Sequence, residues 1–208
     1  MLILVRHGES EANAKGLLLG RSDAPLTERG RAQALAVRPL LADPVREVRS
    51  SPLGRARDTA ALLGTDRPIE IDERWVEVDY GAYECQPLRD VPADVWREWQ
   101  ADPTFRPPDG ETLAEVDARV GEACAELFAT DGAGARAADG DVVVVSHVTP
   151  IKAAVAWALG SDASLSWRLY LKTGSVTRIA WGNHDGPVLH GFNEVAPDGG
   201  ATPQSRGA

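Results

Sequence analysis

Two uninterrupted apolar runs, "LILV" at residues 2–5 and "VVVV" at 142–145, punctuate an otherwise mixed chain. Continuous rather than alternating apolar residues predict strands buried on both faces of a sheet. Shorter β-rich stretches at 45–50 ("VREVRS"), 69–71 ("IEI"), 175–181 ("SVTRIAW") and 188–192 ("VLHGF") read as further strands.

Helical patterns with start and stop signals lie between them. Thr27 caps a helix that puts Ala32, Leu35, Ala36 and Leu40 on one face and is kinked or ended by Pro39. Ser51 caps a second, with Pro52 in its first position and Gly64 past its end. Thr112 and Glu115 form a capping box for a third, whose stripe is Leu113, Val116, Val120, Cys124 and Leu127. Thr149, Pro150 and Gly160 bound a fourth. Strands alternating with helices predict an α/β fold around a mostly parallel central sheet.

The length of 208 residues suits one domain, taken as residues 1–195, and the stretch 196–208 ("APDGGATPQSRGA") is too polar to bury and is expected to be disordered. A net charge of −9 argues against nucleic acid or an anionic membrane as partner, since both require a basic patch. Anionic small molecules stay open, because a local cluster of arginines suffices. Two cysteines, Cys85 and Cys124, give neither a disulfide framework nor a close pair of metal ligands. With no secretory leader pattern, and no stretch near the roughly 20 apolar residues a membrane span needs, a cytoplasmic protein is expected.

Chemistry enters where the two buried strands stop. "LILV" runs into Arg6-His7-Gly8, and "VVVV" runs into Ser146-His147-Val148. Ligands of open α/β sheets bind beyond the carboxyl ends of the strands, so both histidines are expected in one crevice. The helix starting near Thr149 would aim its N-terminal N–H groups there, which suits an anion. Arg55 falls in the first turn of its helix, where a cation opposes the helix dipole and calls for a compensating anion. A phosphate fits the planar guanidinium fork, and pairing with Asp58 is the plainer alternative.

These residues resemble a known family. Arg6-His7-Gly8-Glu9-Ser10 with Asn13, then "GRSDAPLTERGRAQA" (20–34), "SSPLGRARDTA" (50–60), "EVDYGAYE" (77–84) and "SHVTPIK" (146–152) are together similar to the histidine phosphatase superfamily, the phosphoglycerate-mutase-like fold. The resemblance implies a three-layer αβα sandwich and a nucleophilic His7 that accepts the phosphoryl group. It implies a phosphoryl pocket of Arg6, Arg55 and His147, with further contacts from Asn13 and the Val148 N–H, and Glu77 as general acid and base. Ser10 and Gly20 are candidate phosphate contacts that read equally well as turn residues. The chemistry requires no metal or other cofactor, since arginines can neutralise the oxygens of a transferring phosphoryl group. Cys85 and Val148-Thr149 depart from the glycines common in the family, which bears on local pocket shape rather than on any reacting side chain.

Within the family, residues 84–112 form a short insertion over the site, with Arg89, Arg97 and Arg106 but without the paired arginines of a mutase. The expected activity is therefore metal-independent hydrolysis of a small phosphomonoester through a phosphohistidine. Phosphoglycerate mutase and a non-catalytic phospholigand-binding protein are the alternatives, and a homodimer stays open. Trp75, Tyr80, Tyr83, Trp96 and Trp99 either wall the site or fill the core, and His184 and His190 are expected at the surface.

Overall fold

The computed structural model describes residues 1–41, 44–129, 140–181 and 186–196. Six strands form one sheet in the order β3-β2-β4-β1-β5-β6: β1 Leu2–Arg6, β2 Val45–Ser50, β3 Ile69–Ile71, β4 Asp141–Ser146, β5 Val176–Trp181 and β6 Pro187–Glu194. The pairs β1/β4, β4/β2 and β2/β3 are parallel, while β5 and β6 complete the sheet with antiparallel pairs. All six strands predicted from the sequence are present.

The two apolar runs are continuous because helices cover both faces. Leu2, Leu4, Val142 and Val144 join one core with Val116, Val120, Cys124 and Ile151, while Ile3, Val5, Val143 and Val145 join another with Val37, Ala56 and Ala60. Alternate residues of each strand thus enter opposite layers. α5 (Leu113–Phe128) and α6 (Val148–Ala158) lie on the first face, α2 (Glu28–Val37) and α3 (Gly54–Leu62) on the second, which makes the three-layer αβα sandwich.

The predicted capping box of α5 is formed, and Thr27 caps α2 through the Gly30 N–H. Pro39 ends α2 in a short 3₁₀ turn, Arg38–Leu40. The buried face of α2, however, is Gly30, Ala34 and Val37, and Leu35 is exposed, contrary to the expected Ala32-Leu35-Ala36-Leu40 stripe. The rotation follows from a backbone contact. A Cβ on Gly30 would lie 2.0 Å from the Glu9 carbonyl oxygen, and one on Gly8 would lie 2.1 Å from that of Gly30, so two glycines let α2 settle directly on the chain leaving β1.

Two helix starts also shift. α3 begins at Gly54 rather than Pro52, and α6 begins at Val148 with His147, not Thr149, as N-cap. The pattern missed α4 (Ala93–Ala101), which carries Trp96 and Trp99 into a satellite cluster with Tyr80, Phe105, Leu113 and Trp167. Trp75 sits in the main core, so the aromatics divide between both roles. His190 is exposed; His184 and residues 197–208 of the expected tail lie outside the described residues.

Candidate active site

β1 and β4 run side by side in register, Arg6 opposite Ser146, so the next residue of each strand is a histidine at the same sheet edge. Their ring centroids are 5.0 Å apart. β2 pairs with β4 on the other side, and Ser51 follows it, bonded through its backbone N–H to Val145. Three adjacent parallel strands therefore deliver His7, His147 and Ser51 to one place.

Hydrogen bonding fixes the state of the first imidazole. His7 Nδ1 lies 2.7 Å from the Gly8 carbonyl oxygen, which can only accept, so the proton is on Nδ1 and Nε2 carries the free lone pair. Burial, then the charges of Arg6 and Arg55, hold His7 well below the ordinary histidine value, and His147 is lowered in the same way by burial, Arg55 and His7. Both rings are neutral at physiological pH, as a nitrogen nucleophile requires. Thr59 completes this corner: its Oγ1 accepts the Gly8 N–H and donates to the Arg55 carbonyl.

The arginines are held from outside the crevice. Arg6 Nη1 donates to the Leu171 carbonyl at 2.6 Å. Arg55, 1% exposed, donates to the carbonyls of Gly20 (2.6 Å) and Ser22 (2.8 Å) and to Asp23 Oδ1 (3.3 Å). Asp23 also accepts the backbone N–H groups of Gly54 and Arg55, capping α3. The protein's own counter-charge to Arg55 is thus Asp23 rather than the Asp58 of the plainer alternative. Even so, Arg6 Nε, Arg55 Nε and His147 Nδ1 are all buried without a hydrogen-bond partner among the described residues. A buried N–H group without a partner is costly, and the two guanidinium Nε–H groups, joined by His147 Nδ1 when that nitrogen carries the ring's proton, suit an acceptor-rich anion.

Glu77, 4% exposed, sits at the start of α6. Its carboxylate accepts the N–H groups of Val78 (2.9 Å), Val148 (3.1 Å) and Thr149 (3.2 Å). Its segment is tied down by Ser146 Oγ donating to the Trp75 carbonyl and by Arg119 donating to the carbonyls of Arg74 and Glu77. The neighbouring acids are engaged elsewhere: Asp72 pairs with Arg49 and Arg74, and Glu84 accepts the N–H groups of Arg21 and Ser22.

Of the secondary candidates, Val148 gives its N–H to Glu77. Ser10 and Asn13 form the capping box of the short helix α1 (Glu11–Ala14), which uses the Asn13 Oδ1 acceptor but not its Nδ2 donors. Gly20 serves through its carbonyl; a Cβ there would meet Glu84 Oε1 at 2.0 Å. Sequence reasoning missed Ser51, whose Oγ lies 2.7 Å from His147 Nε2 and accepts the Leu53 N–H. Its helix-cap appearance concealed that role. Among the described residues no group of three or more His, Cys, Asp or Glu side chains converges to hold a metal ion, and no helix is long and apolar enough to cross a membrane.

The chain is 34% identical over 185 residues to the glucosyl-3-phosphoglycerate phosphatase of Mycobacterium tuberculosis, covering 80% of this chain and 82% of that protein. The solved mycobacterial glucosyl-3-phosphoglycerate phosphatase in complex with VO3 superposes with a TM-score of 0.81 at 30% identity, covering 92% of this chain and 98% of the other. A phosphoserine phosphatase mutant of Entamoeba histolytica in complex with phosphoserine gives 0.80 at 26% identity, with 92% and 95% covered. The chain spans about half the length of some relatives, covering 49% of a bifunctional protein of M. tuberculosis to which it is 33% identical over 184 residues, 85% of this chain. A family profile matches residues 2–195, and the chain belongs to the histidine phosphatase superfamily, branch 1.

Proposed function

We propose that this chain hydrolyses small phosphomonoesters through a phosphohistidine at His7. The observation that carries the reading is the set of three buried nitrogens without a partner among the described residues, Arg6 Nε, Arg55 Nε and His147 Nδ1, the last a donor when Ser51 donates to Nε2, beside an imidazole whose free nitrogen is Nε2. His7 Nε2 attacks phosphorus in line with the leaving oxygen, while the three donors and two guanidinium charges take up the charge on the equatorial oxygens. Asn13 Nδ2 adds a neutral donor.

Glu77 gives a proton to the leaving oxygen, and the resulting carboxylate is taken up by the amides at the start of α6, which stabilise a negative charge there. The carboxylate then removes a proton from water as that water attacks the phosphohistidine, and His7 leaves as a neutral imidazole. Residues 84–112 contribute α4 and its aromatic cluster on the leaving-group side, and residues 1–195 act as one domain. The chemical class of the substrate agrees with the names of the relatives.

The test is phosphate release from an aryl phosphate. Unchanged rates in the presence of chelator, and a loss of more than about a thousandfold in His7→Ala, are expected. Loss with chelator, or full activity in the variant, would overturn the reading. Running 3-phosphoglycerate in parallel and scoring 2-phosphoglycerate against free phosphate separates transfer from hydrolysis.

A further inference from the structure

The segment that presents Glu77 has no hydrogen-bond ladder of its own. After the 3₁₀ turn Glu73–Trp75 the chain runs through residues 76–80 without helix or strand, so its backbone groups must find partners elsewhere. Arg119, on α5, meets part of that need, giving Nη1 to the Arg74 carbonyl and Nη2 to the Glu77 carbonyl at 3.4 Å. The same guanidinium is gripped by Glu111 through a two-pronged pair, Nε to Oε1 at 2.8 Å and Nη2 to Oε2 at 3.0 Å. Glu111 in turn reaches the far end of the segment. Its backbone N–H donates to the Asp79 carbonyl at 2.9 Å, and its Oε2 accepts the Asp79 N–H at 3.4 Å.

The packing stripe of α5 is Leu113, Val116, Val120, Ala123 and Cys124, and Arg119 lies outside it. Its planar fork, with five N–H donors, instead makes four hydrogen bonds, all to Glu111 or to the backbone around Glu77. A lysine, with a point charge in place of the fork, cannot span those acceptors. Glu77 is therefore held at both ends, its carboxylate by amides at the start of α6 and its backbone by α5. Misplacing a reacting group by about 1 Å can cost about a hundredfold in rate. The phosphoryl pocket is braced separately. Arg21 joins Glu111 to the loop that holds Arg55, but its side chain is 46% exposed, where an ion pair contributes little. Glu84 and Asp23 hold that loop and the start of α3 without help from Arg119.

We propose that Arg119 is a positioning residue for the general acid: gripped by Glu111, it fixes the backbone of residues 74–79 so that the Glu77 carboxyl group meets the leaving oxygen. This goes beyond the phosphatase reading and rests on it. Arg119 touches no substrate, so its effect is confined to the proton that Glu77 delivers as the bond from phosphorus to the leaving oxygen breaks. That confinement has a signature. A nitrophenolate delocalises its charge and departs with little help, whereas an unsubstituted phenolate departs more easily when the proton arrives in time. Loss of Arg119 should fall on the second ester and leave the first nearly untouched, a pattern that general loosening of the fold does not produce.

The experiment compares kcat/KM, which reports the steps through formation of the phosphohistidine, for nitrophenyl phosphate and phenyl phosphate, two esters of nearly the same shape. Arg119→Met should widen the ratio between them by about tenfold, chiefly through phenyl phosphate, a part of the hundredfold or more that a placed acid supplies. Arg119→Lys should widen it less, and it carries the comparison if Arg119→Met does not fold by its melting curve. Glu77→Gln should widen it most, and adding Arg119→Met to that variant should widen it no further, because the group being positioned is gone. A ratio unchanged in both Arg119 variants, or losses that multiply in the double variant, overturns the positioning role while nitrophenyl phosphate hydrolysis still stands for the general activity. No hydrolysis of either ester by the wild-type protein overturns the phosphatase reading itself, and this role with it.

Discussion

Removing the Ser51 hydroxyl is the most informative small perturbation of the site. Ser51 is fully buried, and its Oγ serves His147 Nε2 at 2.7 Å and the Leu53 N–H at 3.3 Å. The His147 ring can protonate either nitrogen. When Ser51 donates to Nε2, the proton is held on Nδ1, the orphan atom assigned here to a phosphoryl oxygen. Ser51→Ala leaves Nε2 without a partner in a ring that is 0% exposed, so the stability cost is that of one buried unsatisfied group, about 1–3 kcal/mol. The half-buried Leu53 N–H can turn to water and adds little. The tautomer bias disappears together with the hydrogen bond. A net hydrogen bond of about 1 kcal/mol corresponds to about fivefold in the population of the competent ring, so kcat should fall by about three- to tenfold. Urea unfolding reads the first effect and steady-state hydrolysis of an aryl phosphate the second, while nitrogen chemical shifts of His147 read the tautomer directly. A wild-type His147 protonated on Nε2, or a Ser51→Ala enzyme with kcat within twofold of wild type, would refute the reasoning.

Two further predictions concern stability. His7 and His147 are both held below the ordinary value of 6.5, so the folded protein binds fewer protons than the unfolded chain once the pH drops below it. The stability they protect is complete above pH 6.5 and is lost as the pH falls, at up to about 1.4 kcal/mol per pH unit for each ring. Urea midpoints from pH 8 to 5 should therefore fall less steeply in His147→Gln than in wild type, and coincident slopes would contradict the assignment. Cys85, exposed and at φ +60°, occupies a left-handed position that costs a side-chain-bearing residue about 1–2 kcal/mol. Cys85→Gly relieves this but frees the unfolded chain, so a gain of about 0.5–1 kcal/mol in urea unfolding is expected, and a lower midpoint would show that the turn does not resist a Cβ.

The sequence announced this architecture where local and global demands coincide. "LILV" and "VVVV" are apolar throughout because both faces of β1 and β4 are covered, and the residues that follow them share a sheet edge for the same reason. Contacts made by backbone, or by distant loops, left no such trace. The rotation of α2 is set by Gly8 and Gly30 touching main chain, so counting leucines chose the wrong face. Asp23 reaches Arg55 from a loop 32 residues away, a pairing that no helical spacing encodes. Ser51 looked like a helix cap because serine before proline commonly is one, yet its partner is a histidine 96 residues on. α4 was obscured by the prolines and charges around it, and its two tryptophans acquire meaning only against Tyr80, Phe105 and Trp167.

The central claim is that His7 Nε2 becomes phosphorylated, and it can be measured directly. Radiolabelled phosphomonoester mixed with excess protein and quenched within the first turnover should leave up to one label per chain, stable in base, labile in acid, and recovered in the peptide containing His7; His7→Ala should carry none. An unlabelled wild-type protein that still releases phosphate, or a label that persists in His7→Ala, would contradict the account.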